Sequence, residues 1–231
     1  MSDAPAGKAS AGSAAVPWLD RLAHDLRGPL SPLQTASYLL QRDDLDPARR
    51  LELLQMLERQ SRRLARMLDE LEDWARAGQD RLVGAHEPCE VALLLDYALT
   101  GAGLAGTPVD DDGAIAMVDG DSRRMTQLLR TLLDFAVARG GPPALTLRSA
   151  DGRATVEAVL PGPAPAEDTL PALFEQRQAE PFDEGLGLRL MLAQRIARAH
   201  GGDLVAAIAD DRLVLRCTLP LSGDSVAAPQ G

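Results

Sequence analysis

Two leucine-rich stripes at heptad spacing, interrupted once by "DDLDP" at 43–47, constrain this chain most. In the first, Leu22, Leu26, Pro29, Leu33, Ala36 and Leu40 recur at alternating steps of four and three. That spacing describes a helix with a narrow apolar seam. In the second, Leu54, Leu57, Ser61, Leu64, Leu68 and Leu71 repeat the pattern, and the helix is expected to run to about residue 77. At the break, Asp46 suits an N-cap and Pro47 a first helical position. A link this short sets the two helices antiparallel, as a hairpin. Two helices alone cannot bury stripes of this length. Pairing two hairpins into a dimeric four-helix bundle does, so the pattern implies a homodimer.

Beyond "AGQDRLVGAHEPCE" (77–90), a linker in composition, the texture changes. Helical runs at 91–100, 122–138 and 186–199 alternate with strand-like ones. "ALTLRS" and "ATVEAVLP" flank the turn "ADGR". "DRLVLRCTLPL" sets Leu213, Leu215, Cys217 and Leu219 on one face. The fold class is α+β: a hairpin over 17–78, then a mixed domain over 86–221 with a mainly antiparallel sheet. The tails, 1–16 and 222–231, are expected to be disordered.

Composition excludes several partners. The formal net charge of −10 argues against nucleic acid, whose non-specific binding rests on Lys and Arg neutralising phosphates. No run of about 18 apolar residues exists, so no membrane span is expected. The N-terminus has no apolar signal core, which implies a cytoplasmic protein. Cys89 and Cys217 show no metal or redox spacing and read as buried thiols. His86 sits in the linker with no evident partner, and His200 in "AHGGDL" reads as a helix end.

The first helix contains "AHDLRGPLSPL" (23–33), which places a histidine beside residues that weaken helices. In a helix interior Gly28 costs about 1 kcal/mol relative to Ala, and Pro29 and Pro32 about 3 kcal/mol each. Pro29 has no N–H for the carbonyl of Asp25, and the helix is expected to bend one turn beyond His24. His24 lies two residues from both Leu22 and Leu26, about 200° from each at 100° per residue, so it faces outward. A neutral imidazole is a fair nucleophile near neutral pH. The adjacent Asp25 can orient it or take its proton during attack on phosphorus.

"HDLRGPL" (24–30) resembles the phosphoacceptor box of bacterial two-component histidine kinases, in its usual place on the first helix of a dimerising hairpin. "EPCEVALLLDYAL" (87–99) resembles the entry into that family's GHKL (Bergerat) ATP-binding domain. "VDGDSRRMTQLLRTLLDFAVARG" (118–140) is similar to the segment bearing its asparagine box. "LFE" (173–175) and "EGLGLRLMLAQRIARAHGGDL" (184–204) are similar to its phenylalanine box and last glycine box. The resemblance implies an α/β sandwich for the second domain and phosphorylation of His24 with Asp25 assisting. It also implies receiver docking and a helix kink around Arg27, Gly28 and Pro29. Many members carry Asn or Thr where Gly28 stands, to position water for phosphatase action, and the resemblance does not extend to that activity.

The departures gather at the nucleotide site. Thr131 and Phe135 fall where the family carries two asparagines, the second of which holds Mg²⁺. A phenylalanine offers a hard cation no oxygen. Leu160 falls where the family has an Asp that accepts a hydrogen bond from adenine, and leucine cannot accept one. Gly185 and Gly187 of "GLGL" remain, as a residual nucleotide site or as a tight turn before a helix expected to start near Leu186. The segment from Phe174 to Gly185 is compact for a nucleotide lid.

Three functions follow. In the favoured one, His24 exchanges a phosphoryl group with the aspartate of a response-regulator receiver, with no cofactor. The first alternative is an active cytosolic kinase that uses ATP and Mg²⁺. The second is a non-enzymatic regulator that pairs with a sensor kinase or occupies its receiver. No nucleic acid, membrane or resident metal is expected in any of them.

Overall fold

A computed structural model describes residues 15–223, with side chains from Asp20 onward. Of the expected tails, 1–16 and 222–231, residues 1–14 and 224–231 lie outside the described residues. The chain divides into two compact units, Met1–Asp69 and Glu70–Gly231.

The first unit holds α1 (Ala15–Leu40) and most of α2 (Pro47–Ala77). The hairpin turn forms as its residues dictate. Asp46 Oδ1 accepts the backbone N–H groups of Ala48 and Arg49 at 2.9 and 3.0 Å, and Pro47 opens α2. α1 starts at Ala15, two residues before the expected boundary, and continues as one helix through Pro29 and Pro32. Among its described side chains the buried positions are Leu22, Pro29 and Ala36, every seventh residue of the expected seam.

Within one chain, the hairpin covers the positions next to the expected α2 seam. Leu53 and Met67 are buried with Gln60 half-buried between them, while Leu54 and Leu68 are 49% and 51% exposed. A one-residue step turns the helix by about 100°. The leucine stripe therefore lies beside the face that the hairpin itself covers.

The second unit is a two-layer α/β sandwich. In chain order it comprises the end of α2, β1 (Glu87–Glu90), α3 (Val91–Gly101), β2 (Val109–Asp111), β3 (Met117–Gly120) and α4 (Ser122–Ala138). There follow β4 (Ala144–Ala150), β5 (Arg153–Val159), α5 (Ala172–Glu175), α6 (Arg189–Ala199), β6 (Asp203–Ala209) and β7 (Arg212–Pro220). β1 and β3 pair antiparallel. The main sheet has the order β2-β4-β5-β7-β6, with β2 parallel to β4 and every other pair antiparallel.

The alternation in β7 works as read: Leu213, Leu215, Cys217 and Leu219 are all buried. They join Leu145, Leu147, Val156 and Leu204 in one core with Leu128, Leu132, Ala193 and Ile196 of the helices. Both cysteines are free and buried, and burial pushes the Cys217 thiol up to about 12. α4 is capped by Asp121, whose carboxylate accepts the N–H groups of Arg124 at 3.0 Å and Gly84 at 2.8 Å. The chain stays attached beyond β7, since the Ser222 N–H donates to the Met117 carbonyl.

Candidate functional site: an open histidine and a filled glycine loop

In the first unit, the helix turn bearing His24 faces outward. His24, Arg27 and Gly28 are exposed, Asp25 is half-buried, and Pro29 is buried on the seam. A Cβ added at Gly28 would meet nothing within 4 Å. The imidazole therefore stands on the face opposite Leu22 and Pro29, with a carboxylate next to it in sequence.

In the second unit, the residues at the expected nucleotide positions are buried and packed. Leu160 is 0% exposed at the end of β5, and its N–H donates to the Leu213 carbonyl at 2.8 Å. Phe135 is 8% exposed and meets Phe182 edge-on, with ring centroids 5.3 Å apart. Thr131 Oγ1 donates to the Gln127 carbonyl at 2.9 Å and accepts from Arg189 at 3.4 Å. The Arg189 guanidinium also binds Asp134 at 2.7 Å and Asp183 at 3.2 Å, and lies 5.1 Å over the Phe182 ring. Asp134, next in sequence to Phe135, thus pairs with an internal cation.

The glycine loop is also engaged. α6 begins at Arg189 and not near Leu186, so Leu186–Leu188 lead into the helix. The Leu186 and Leu188 N–H groups each donate to the Glu70 carboxylate at 3.0 Å. Gly185 has no positive φ; a Cβ there would lie 1.8 Å from Glu70 Oε1. Gly187 does have φ +77°, and a Cβ there would lie 2.5 Å from the Gln178 carbonyl oxygen. The Gln178 N–H donates back to the Gly187 carbonyl at 3.1 Å, which ties the short preceding segment to the loop.

Glu70 is one of several α2 residues that the sequence reading missed. Asp73 accepts from Arg124 and Gln127, both at 2.7 Å, and Arg195 lies 3.8 Å over the Trp74 ring. Ala77 packs on the core. Positions 70, 73, 74 and 77 share one helix face. The available signal was this i, i+3, i+4, i+7 set, which starts where the leucine stripe ends.

His200 caps α6 as expected. Its Nδ1 lies 2.7 Å from the Ile196 carbonyl and its Nε2 accepts the Asp121 N–H at 3.0 Å. Burial holds its pKa below the usual histidine value. His86 does have a partner, contrary to expectation: it stacks on His200 with centroids 5.3 Å apart, because β1 pairs with the strand leading into Asp121. Among the described residues no group of three or more His, Cys, Asp or Glu side chains converges as a metal site, and no helix is long and apolar enough to cross a membrane.

The arrangement is an exposed histidine on a helical hairpin, followed in sequence by an α/β sandwich, and comparison with known proteins finds the same combination. Residues 18–80 match the His Kinase A (phospho-acceptor) domain. The chain is 27% identical to the sensory histidine kinase/phosphatase NtrB of Rhodobacter capsulatus, over 92% of this chain and 64% of that protein. It is 28% identical to the adaptive-response sensory kinase SasA of a Nostoc species, over 79% of this chain and 51% of that one. The chain thus spans between half and two thirds of these relatives' lengths. In fold it is similar to the histidine kinase AdeS of Acinetobacter baumannii (TM-score 0.64, 18% identity, 87% of this chain and 98% of that one). It is also similar to histidine kinase ThkA, solved in complex with response regulator protein TrrA (TM-score 0.69, 18% identity, 89% and 61%). Residues 18–80 thus carry a His Kinase A (phospho-acceptor) domain, and the chain as a whole is similar to two-component sensor histidine kinases.

Proposed function

We propose that this chain carries a phosphoryl group on His24 and exchanges it with the aspartate of a response-regulator receiver, without ATP. The observation that carries the reading is the contrast between an exposed His24 on a matched phosphoacceptor hairpin and a buried Phe135 at the metal-ligand position. ThkA, a relative in fold, was solved with a response regulator, which supports a receiver as the partner.

In the transfer step, the unprotonated ring nitrogen of His24 attacks the phosphorus of the receiver's aspartyl phosphate. A P–N bond forms and the P–O bond to the aspartate breaks, its electron pair remaining with the carboxylate. The ring becomes cationic and gives up its other N–H proton toward Asp25. Reversal returns the phosphoryl group.

ATP with Mg²⁺ does not fit the residues at the second site. Phe135 and Leu160 supply neither a metal ligand nor an acceptor for adenine. Arg189 bridges Asp134 and Asp183 with its own positive charge, and the glycine-loop N–H groups are already bonded. Losing metal ligation removes the main charge stabilisation of phosphoryl transfer from a nucleotide. We further propose a homodimer, in which the exposed Leu54 and Leu68 stripe of each copy is covered by its partner.

The test offers the purified chain labelled Mg²⁺-ATP in one arm and a phosphorylated receiver in the other. Acid-labile label is expected only from the receiver, and His24→Ala is expected to abolish it. Robust labelling from ATP establishes the active kinase instead. No labelling from any receiver, with His24→Ala behaving as wild type in cells, establishes the non-enzymatic regulator.

A further inference from the structure

We propose that Glu70 is an internal anion lodged in the glycine loop, and that it keeps external polyphosphates out for as long as the end of α2 stays docked. The inference rests on the reading that this loop no longer serves a nucleotide, and adds what serves in its place.

The geometry is that of a bound ligand. Backbone N–H groups ahead of a helix form a ready cradle for an anion. Here the two N–H groups, of Leu186 and Leu188, each take one oxygen of a single carboxylate at 3.0 Å. The carboxylate is only 6% exposed. Gly185 is the residue that admits it, because any side chain there would collide with Oε1. The usual reason for a glycine, a left-handed φ, does not apply at this position. Carboxylate and phosphate oxygens ask the same of such a cradle, so they compete for it.

Glu70 is held in place by its own helix face. One turn on, Asp73 is bound by Arg124 and Gln127, and Trp74 lies beneath Arg195. Arg124 is itself 3% exposed, so this ion pair is well shielded from water. An anion fixed by neighbouring contacts on the same chain has a high effective concentration. A free anion must displace it and disturb that helix face as well. In the wild type, filling the loop from solution and seating Glu70 in it are therefore mutually exclusive, and each opposes the other by the same free energy.

Inorganic pyrophosphate is the probe, added to the full chain labelled with ¹⁵N-leucine, as wild type, Glu70→Gln and Glu70→Ala. Millimolar pyrophosphate is expected to leave the Leu186 and Leu188 amide resonances of wild type unmoved. In both variants it should shift them saturably, with apparent affinity tighter by about tenfold or more, the scale of a hydrogen bond to a charged group. Glu70→Gln keeps the side-chain volume and decides the matter if Glu70→Ala does not fold. Equal responses in wild type and variants, or none in folded variants, overturn the proposal. Wild type alone gives a second readout: its Leu186 and Leu188 amide shifts should titrate together with the Glu70 carboxyl carbon. Independent titration also overturns it. Phosphoryl transfer through His24 is read separately as acid-labile phosphate, so failure of either idea leaves the other standing.

Discussion

Under the proposed function the helix turn around His24 handles a phosphoryl group and the loop around Gly185 and Gly187 does not, and the two are built in opposite ways. At the first, the imidazole is exposed and a Cβ at Gly28 would touch nothing. At the second, both loop N–H groups have a buried carboxylate, the nearby guanidinium has two, and a Cβ at either glycine would strike a neighbour. A group that must meet a succession of partners is left open. A group with no outside partner is closed by the chain itself, because buried polar groups left unpaired cost about 1–3 kcal/mol each.

The sharpest way to break this comparison is to return an acid to the second site. Leu160→Asp places a carboxyl where the side chain is 0% exposed. Burying an uncompensated charge is among the few changes that cost more than about 4 kcal/mol. The second unit is expected to lose its cooperative urea transition, followed by Trp74 fluorescence in a Trp18→Phe background, while Leu160→Met retains it. A folded Leu160→Asp protein that binds ATP would mean that the second site is one substitution from open.

Two carboxylates sharpen the comparison at intermediate size. Glu70 and Asp121 each accept two backbone N–H groups. Burial is the largest influence on both, but the outcomes differ in sign. At Glu70 burial prevails, with Asp183 adding repulsion against the two N–H groups and Arg189, and the carboxyl is raised above its ordinary range. At Asp121 burial is outweighed by the N–H groups of Gly84 and Arg124 and by the charge of Arg124, and the carboxyl is lowered.

A raised acid binds its proton more tightly folded than unfolded, so its contribution falls as pH rises from the ordinary glutamate range to the raised value. A lowered acid contributes above its unfolded value, and that is lost as pH falls through the folded one. Glu70→Gln should therefore remove a decline of stability on the rising side. Asp121→Asn should remove a loss on the acid side and cost about 1 kcal/mol near neutrality, since the amide still caps α4 through its one oxygen but no longer accepts from the Gly84 N–H as well. Urea midpoints across the acid range check both; unchanged slopes in either variant would refute the assignment.

The contrast also explains what the sequence disclosed. Features set by local periodicity were legible: the Asp46 cap, the Leu213-to-Leu219 alternation and the outward face of His24. β6 is not legible, because "DLVAAIA" is apolar without polar alternation and three of its seven residues are alanine. That the hairpin covers Leu53 and leaves Leu54 exposed is not legible, since the two are adjacent leucines and only packing decides between them. At Phe135 and Leu160 the sequence discloses side chains that offer neither a metal ligand nor a hydrogen-bond acceptor. What fills the glycine loop is not legible, because Glu70 lies 116 residues from Leu186 and no local rule links a helix-face glutamate to a distant glycine loop.

The smallest expected effect tests the open side. Gly28 is exposed in mid-helix, α1 continues through it, and a methyl group there meets nothing. On stability alone Gly28→Ala should raise the hairpin's resistance to unfolding by about 0.5–1 kcal/mol, since glycine loses more backbone freedom on folding than alanine. A residue that costs stability at an exposed position, one turn beyond the nucleophile, is of use only if the turn must move or be approached closely. The variant should therefore melt higher yet accept phosphoryl groups from a receiver more slowly, with the amount of His24 labelled at equilibrium little changed. Higher stability with an unaltered transfer rate would make Gly28 incidental, and the openness of this turn would then rest on the exposure of His24 alone.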